Sequence, residues 1–315
     1  MDQPRVQATP SAVPRATVAG MGTNRRQRRR FVWLMLAPST ILLLGLTLYP
    51  FISSLLLSFT DYTLLAPGDR KVIGLRNYAD LLGSADFWGA FRVTLVFCAL
   101  AVGIETVIGV LVAVLLHAET RGAPALRAAY MIPMAITPVA ATFTFRLMYS
   151  PSLGIVNYFL QGLGLPPQAW LSDPKMALPA LVIVDVWQWT PFILLIVVGG
   201  LSVLPQEPFE AATVDGAGGW RLFRDLTLPM LRPYLAVAIL FRVIDAFKTF
   251  DIIYVLTGGG PGTTTRTLNL YAFKQGIEFL EMGYASSIAI VMLILTILFA
   301  RLFLWRTGLI RAMER

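Results

Sequence analysis

Apolar residues along the chain collect into six long runs, separated by shorter segments that are rich in glycine, proline and charge. A membrane-spanning helix needs about 20 mostly apolar residues to cross the roughly 30 Å hydrocarbon layer, and each run is long enough. We therefore predict an all-α, polytopic membrane protein. Its six transmembrane helices are expected near residues 31–58, 90–116, 126–148, 177–201, 233–256 and 284–305.

The two ends of the chain have a different character from the apolar runs. Residues 1–30 are rich in Pro, Ala, Thr and Arg and contain no apolar stretch, which predicts a disordered basic tail. The first apolar run is too long for the core of a signal peptide, so we expect it to be a retained helix. Residues 31–305 then form the transmembrane domain, and residues 306–315 form a short second tail.

Composition and charge support a membrane protein and predict its orientation. Of all residues, 56% are hydrophobic and 14% are charged, whereas a soluble domain carries about 25% charged residues. The net charge of +8 does not form one surface stripe, because the basic residues lie in short segments between apolar runs. Cytoplasmic segments carry the excess of Lys and Arg. This rule predicts that both termini and residues 204–232 are cytoplasmic.

The cytoplasmic segment "LPQEPFEAATVDGAGGWRLFRDLTLP" (204–229) is unusually polar for its position between two apolar runs. Pro208 suits the first turn of a helix, and Glu207 and Glu210 suit the positive end of its dipole. Gly216 and the glycines after it are expected to end the helix. A helix of two to three turns is marginal in water on its own. The segment therefore predicts a partner surface.

The spacing within this segment resembles the EAA loop of ABC-importer membrane subunits. Glu210-Ala211-Ala212 is followed by three residues, Gly216, nine residues, and Leu226-Thr227-Leu228-Pro229. The family pattern is EAA, three residues, Gly, nine residues, Ile, one residue and Leu-Pro. The single departure is Leu226 in place of Ile.

Other stretches are similar to the maltose-type sugar permeases. They are "GLRNYADLL" (74–82), "VWQWTPF" (186–192) and "LTGGGPGTTTRTL" (256–268), and the resemblance covers roughly residues 31–305. It implies the type I ABC-importer permease fold in a bacterial cytoplasmic membrane. By resemblance, the residues that couple the chain to an ATPase are Glu210, Ala211, Ala212, Asp215, Gly216, Leu228 and Pro229.

The resemblance also implies a set of partners. These are a second homologous permease subunit, two ATPase subunits and an extracytoplasmic substrate-binding protein. Loops 149–176 and 257–283 are expected to receive the binding protein. The implied substrate is a carbohydrate, and the sequence leaves open whether it is a sugar, an oligosaccharide, a polyol or glycerol phosphate.

Nucleotide, metal and catalytic sites are not expected in this chain. The sequence contains no G-x-x-x-x-G-K-[ST] phosphate loop, and "GGGPG" (258–262) lacks the lysine, so we interpret it as a flexible turn. One histidine and one cysteine cannot form a Cys/His metal cluster. ATP and Mg²⁺ are therefore expected on the separate ATPase.

Ionisable residues within the apolar runs are costly and are functional candidates by default. Glu105 lies in the second run, and Asp185 and Gln188 lie one turn apart in the fourth. The fifth run has charged residues every third position, which would form a slanting stripe on one helix. The candidate substrate pathway comprises Asp185, Trp187, Gln188, Arg242, Asp245, Phe247, Lys248 and Asp251.

Two interpretations of these residues stay open at this point. In the first, Arg242, Asp245 and Lys248 neutralise one another or pair with Asp185 or Glu105. In the second, the group and its aromatic neighbours line a polar cavity, since carboxylates, amides and ring faces suit polyhydroxylated ligands.

Other protein classes fit the sequence less well. An ion-coupled secondary transporter could carry protons on Glu105, Asp185 and Asp245, but the EAA spacing argues against it. A membrane-embedded enzyme would need a nucleophile–base or metal arrangement, and none is recognisable. An ABC exporter is less suitable because no ATPase is fused and the EAA loop is an importer feature.

Overall fold

The computed structural model of the protein describes residues 25–118 and 122–308. Of the predicted tails, 1–30 and 306–315, residues 1–24 and 309–315 lie outside the described residues. Within them the chain is helical, and its β-structure is one bridge between Thr60 and Val72. The described residues divide into two compact units, one that ends at Ser53 and one that begins at Ser54.

The helices in chain order are α1 (Arg25–Leu57), α2 (Arg76–Gly83), α3 (Ala85–Ala118), α4 (Ala123–Ala135), α5 (Pro138–Met148), α6 (Ile155–Gly162), α7 (Ala177–Leu201), α8 (Glu207–Val214), α9 (Gly219–Leu222), α10 (Leu228–Ala246), α11 (Asp251–Leu256), α12 (Leu268–Phe273) and α13 (Met282–Thr307). Two π-helical turns, Phe223–Thr227 and Lys274–Glu278, precede α10 and follow α12. Among the described residues, five of these helices could each cross a membrane, and the bent α4–α5 pair would make a sixth.

Helix α1 begins earlier than the sequence pattern predicts. It starts at Arg25, so the arginine cluster at 25–30 is the first part of the helix and not part of a disordered tail. Arginine is a good helix former, which favours extending the helix through the cluster. Pro38 and Pro50 lie inside α1, as membrane helices tolerate.

The third span is broken where the sequence predicts one continuous helix over 126–148. Helices α4 and α5 meet at an angle of 91°. Ile136 and Thr137 are both extended at the break, with ψ of 135° and 136°. Pro138 explains the position, because a proline disfavours helical backbone in the residue before it.

The fifth predicted span, 233–256, is also divided. Helix α10 ends at Ala246, and α11 begins at Asp251. Lys248 lies in the connecting turn, and its carbonyl accepts a hydrogen bond of 2.6 Å from the side chain of Asn269. The predicted stripe of charges on one helix is therefore wrong beyond Asp245, because α10 ends at Ala246, before Lys248.

Helices α3, α7 and α10 form the centre of the second unit, and α3 and α7 share its largest helix–helix interface. Two apolar clusters fill the space between these helices. One lies toward the 149–176 and 257–283 loops and includes Phe97, Leu181 and Ile253. The other lies toward the 204–232 segment and includes Ile193, Val197 and Leu231.

Both loops are organised by internal hydrogen bonds. In the 149–176 loop, the buried Asn157 donates to the carbonyls of Pro151 and Gln168 and accepts from Trp170 Nε1. In the 257–283 loop, Thr265 Oγ1 bonds Thr257 Oγ1 at 2.7 Å and the carbonyl of Gly260 at 2.8 Å. The glycine-rich turn predicted as flexible is therefore cross-linked by its threonines.

Candidate functional site

A buried cluster of charges joins the three central helices. Arg242 of α10 donates from Nε and Nη2 to the two carboxylate oxygens of Glu105 on α3, at 2.7 and 2.8 Å. Nη2 also donates to Asp185 Oδ2 on α7 at 2.7 Å, and Nη1 donates to Asp245 Oδ2 at 2.7 Å. We call Glu105, Asp185, Arg242 and Asp245 the Arg242 cluster.

The geometry of the Arg242 cluster depends on a guanidinium group. Its planar, five-donor fork can serve three carboxylates at once, which a lysine ammonium cannot do in the same geometry. Glu105, Asp185 and Arg242 are at most 1% exposed, whereas the side chain of Asp245 is 49% exposed. The Arg242 guanidinium also lies 5.2 Å from the ring centre of Trp189. Removing Arg242 would leave the two buried carboxylates without their shared cation, at high cost.

The predicted pathway residues do not form one group. The structure shows the ion pairing of the first interpretation for Arg242, Asp245 and Asp185. Lys248 and Asp251 are exposed and lie outside the Arg242 cluster. Whether any of these residues contacts a substrate stays a prediction.

The predicted aromatic lining is divided between two cavities. Trp187 lies on a cavity of about 520 Å³ between α3, α4 and α7, and its ring meets Phe145 edge-on at 5.1 Å. Phe247 lies on a different cavity of about 600 Å³, lined by α3, α10 and α13. Among the described residues, Trp187 and Phe247 therefore line separate cavities.

Gln188 has a specific task that sequence reasoning missed. Its Nε2 donates 3.0 Å to the carbonyl of Ile136, at the break between α4 and α5. A break in a membrane helix leaves backbone groups that neighbours must satisfy. Gln188 satisfies one of them from α7. The proline at 138 was the available signal for the break, but nothing in the sequence indicates which side chain reaches it.

The predicted coupling helix is present as α8, Glu207–Val214. It has no buried residue, and Glu207 and Glu210 lie in its first turn. Gly216 follows with φ of +78°, a left-handed conformation that favours glycine, and Ala217 N–H donates to the carbonyl of Ala212 at 2.9 Å. The helix length and its glycine stop thus match the sequence prediction.

The segment that carries α8 is anchored at both ends. Leu204 before the helix and Phe223 after it pack against the apolar cluster between α3, α7 and α10. Leu228 and Pro229 begin α10 itself. Glu210, Ala211, Asp215 and Gly216 are exposed on the connecting loop. The arrangement is an exposed short helix fixed between two spans.

Together, the long apolar helices, the exposed loop helix and the buried charges are typical of a polytopic membrane protein. Comparison with known proteins identifies the family. Residues 155–306 match the family of binding-protein-dependent transport system inner membrane components. A probable ABC transporter permease protein of Sinorhizobium fredii is 41% identical, over 93% of this chain and 95% of its own length.

A second relative supports the same assignment. The trehalose/maltose transport system permease protein MalF of Thermococcus litoralis is 38% identical, over 86% of this chain and 92% of its own length. The chain therefore belongs to the permease family of binding-protein-dependent ABC transport systems and is an inner-membrane component. It is a permease subunit and not an enzyme, and the alternative of an ion-coupled secondary transporter is wrong.

The fold is shared with a solved importer. A chain in the crystal structure of a bacterial ABC transporter involved in the import of the acidic polysaccharide alginate superposes with a TM-score of 0.79. The two chains are 21% identical, and the match covers 90% of this chain and 97% of the other. This similarity confirms the predicted all-α type I importer permease fold.

Proposed function

We propose that this permease is one of two membrane-spanning subunits in an ATP-driven carbohydrate importer. It pairs with a second homologous permease, two ATPase subunits and an extracytoplasmic substrate-binding protein. ATP and Mg²⁺ bind to the ATPase subunits, and both termini and residues 204–232 face the cytoplasm. The observation that carries the proposal is α8, an exposed helix fixed between α7 and α10.

The coupling role rests on the chemistry of the EAA segment (204–232). Ala211 and Gly216 allow close approach by a partner surface, and Glu210 and Asp215 offer carboxylates for charge-assisted hydrogen bonds. Because Leu204 and Phe223 fix both ends of the segment to the spans, a displacement of α8 is transmitted to α7 and α10. Leu228 and Pro229 form the start of α10 and so connect the segment directly to the fifth span.

The carbohydrate assignment rests on relatives. The Thermococcus litoralis relative belongs to a trehalose/maltose transport system. The candidate pathway residues that remain accessible fit this chemistry. Asp245 is half-exposed, and Lys248 and Asp251 are exposed. Their oxygen and nitrogen atoms can bond sugar hydroxyls, while Phe247 and Trp187 offer apolar ring faces to separate cavities.

The binding protein is proposed to dock on the 149–176 and 257–283 loops. A cavity of about 670 Å³ opens between them and is lined by Arg146, Tyr149, Pro151, Thr257 and Pro261 among others. Arg146 Nη1 donates 3.1 Å to the carbonyl of Val255 and so links the two sides. Hydrogen bonding within each loop gives the docking protein a fixed surface.

Purification of the chain from its native membrane tests the assembly. We expect an ATPase and a second permease to co-purify with the chain. The two permeases should be present in equal numbers. Glu210→Lys is expected to release the ATPase and leave the permease pair intact, whereas Glu207→Lys, one turn earlier on α8, serves as the matched charge control. Purification of the chain without an ATPase, or an equal effect of both variants, would contradict the proposal.

Reconstitution tests the substrate class. The purified assembly, with the binding protein that co-purifies with it, is placed in liposomes that contain ATP. We expect accumulation of a radiolabelled α-linked disaccharide such as trehalose or maltose, with glycerol phosphate and an amino acid as comparison substrates. Accumulation of the amino acid alone would exclude a carbohydrate importer while leaving the ABC assembly in place.

A further inference from the structure

The Arg242 cluster contains more carboxyl groups than one guanidinium can balance. Glu105, Asp185 and Asp245 all bond to Arg242. If all three were ionised, the cluster would carry two uncompensated negative charges, two of its carboxylates being fully buried. Burial of unpaired charge is strongly unfavourable, and a buried carboxyl group commonly avoids it by taking a proton.

Two buried acceptors beside the cluster lack partners among the residues that the structure describes. They are Asp185 Oδ1 and Gln188 Oε1. The orientation of the Gln188 amide is fixed, because the carbonyl of Ile136 can only accept and therefore requires the amide nitrogen. Asp185 and Gln188 lie three residues apart on α7, at neighbouring positions of one helix face. A buried acceptor without a donor is unfavourable, so two of them side by side require an explanation.

We propose that Asp185 is a neutral carboxylic acid whose Oδ1–H donates a hydrogen bond to Gln188 Oε1. The proton supplies the missing donor to both acceptors at once. Asp185 Oδ2 remains a carbonyl oxygen that accepts from Arg242 Nη2, as observed. The uncompensated charge of the Arg242 cluster falls by one, and the charge that remains lies on the half-exposed Asp245.

The other carboxyl groups are less suited to carry this proton. Glu105 accepts from Arg242 at both oxygens, a bidentate pair that favours its ionised form, whereas Asp185 accepts at one oxygen. Asp245 reaches solvent and can stay ionised there. The charged and titratable groups that face Asp185 are Glu105 and Cys98 from α3 and Arg242 and Asp245 from α10.

The proposed proton completes a chain of hydrogen bonds across three spans. Arg242 donates to Asp185, Asp185 donates to Gln188, and Gln188 donates to the Ile136 carbonyl at the break between α4 and α5. Asp185 is thus a positioning residue that acts on the broken span through Gln188. The inference concerns the membrane interior and goes beyond the proposed function, since it does not depend on the substrate.

Infrared difference spectroscopy on the purified native assembly tests the proton directly. At neutral pH, the difference between wild type and Asp185→Asn should contain the carbonyl band of a protonated carboxylic acid, shifted in heavy water. The difference for Asp245→Asn should contain a carboxylate band instead. If only carboxylate bands are lost in Asp185→Asn, the proposal is overturned.

Variant behaviour gives a second, independent test. Asparagine keeps one acceptor and one donor in the positions of a neutral aspartic acid. Asp185→Asn should therefore assemble and transport within about fivefold of wild type, the effect of at most one hydrogen bond. Asp185→Leu, which provides neither, should be defective. Should Asp185→Asn fail to assemble as Asp185→Leu does, then Asp185 acts as a charge and the proposal is wrong.

The pH profile separates a bound proton from a simple packing role. Wild type loses the Oδ1–H donor and gains a buried charge as pH rises, whereas the asparagine cannot lose its donor. The ratio of Asp185→Asn uptake to wild-type uptake should therefore increase toward alkaline pH. A constant ratio, together with the same amide exchange at residues 135–137 in Asp185→Leu as in wild type, would contradict the hydrogen-bond chain.

Discussion

At the scale of single residues, Arg242 shows why a charge can be retained inside a membrane bundle. Its side chain is 1% exposed, yet four donated hydrogen bonds reach three carboxyl groups. Charge-assisted hydrogen bonds of this kind are short and strong, but they only offset a large desolvation cost. The cluster therefore specifies the arrangement of α3, α7 and α10 more than it adds net stability.

Replacing Arg242 tests how far the cluster holds α3, α7 and α10 together. Arg242→Met leaves Glu105 without a partner in the interior and should reduce the free energy of unfolding by about 3–5 kcal/mol. Arg242→Lys keeps the charge but loses the fork, and an intermediate loss is expected. Unfolding in detergent, followed by the exposure of buried Cys98 to a thiol reagent, provides the measurement. A methionine variant as stable as wild type would contradict the prediction.

In the 149–176 loop, Asn157 is the side chain that joins separate parts of the backbone by hydrogen bonds. Asn157→Asp removes the two hydrogen bonds that its Nδ2 donates to the carbonyls of Pro151 and Gln168. Both bonds are partly buried, and each contributes about 0.5–1.5 kcal/mol, so backbone amides of residues 149–176 should exchange faster with deuterium. Gln161→Glu, an exposed position on the same helix α6, is the matched control. Equal exchange in both variants would show that Asn157 does not organise the loop.

At the scale of elements, α8 depends on how it ends. Gly216 and Gly218 both have open space where a Cβ would lie, but Gly216 has φ of +78° and Gly218 has φ of −73°. The left-handed conformation costs a non-glycine residue about 1–2 kcal/mol. The two positions therefore differ in backbone conformation and not in available space.

This pair gives a controlled test of the coupling segment. Gly216→Ala should weaken ATPase binding by about 5–30-fold, the factor that corresponds to 1–2 kcal/mol. Gly218→Ala should leave binding close to wild type. Titration of the purified ATPase against the permease pair in detergent gives both affinities. Equal affinities for the two variants would show that the left-handed conformation at Gly216 does not matter for ATPase binding.

The elements also show how far sequence reasoning extends. Apolar run length predicted the spans, and the glycine and proline positions predicted α8 and its end at Gly216. The break at Ile136 was not predicted, although Pro138 marked it, because membrane helices often continue through proline. The division after Ala246 has no proline near it, and the Lys248 carbonyl is satisfied by Asn269, 21 residues away. Such a tertiary hydrogen bond leaves no local pattern.

The candidate site was also predictable only in part, because it too depends on tertiary contacts. The depth of Glu105, Asp185 and Arg242 in apolar runs indicated that they would need partners. Which partner each finds depends on how each helix is rotated about its own axis. The same rotation places Trp187 and Phe247 in different cavities. The contact between Gln188 and Ile136 exists because the third span is broken. It could not be predicted while that span was expected to be one continuous helix.

At the scale of the whole molecule, family membership predicts the energy source. Uptake should continue when an ionophore dissipates the proton gradient while cellular ATP is held constant, because the chain is an ABC permease and its carboxylates are bonded to Arg242. Depletion of ATP with the gradient maintained should abolish uptake. Initial uptake rates of the radiolabelled substrate in intact cells provide the measurement. Loss of uptake with the ionophore alone would contradict this prediction.

The Arg242 cluster also sets an order of events during biosynthesis. Glu105 and Asp185 precede Arg242 by 137 and 57 positions in the chain. At about 5–20 residues per second, Glu105 emerges from the ribosome on the order of ten seconds before its partner. During that interval the second and fourth spans carry acidic side chains that lipid cannot satisfy. We therefore expect the nascent bundle to stay with its insertion machinery until the fifth span arrives, so that release into the bilayer is a late, collective step.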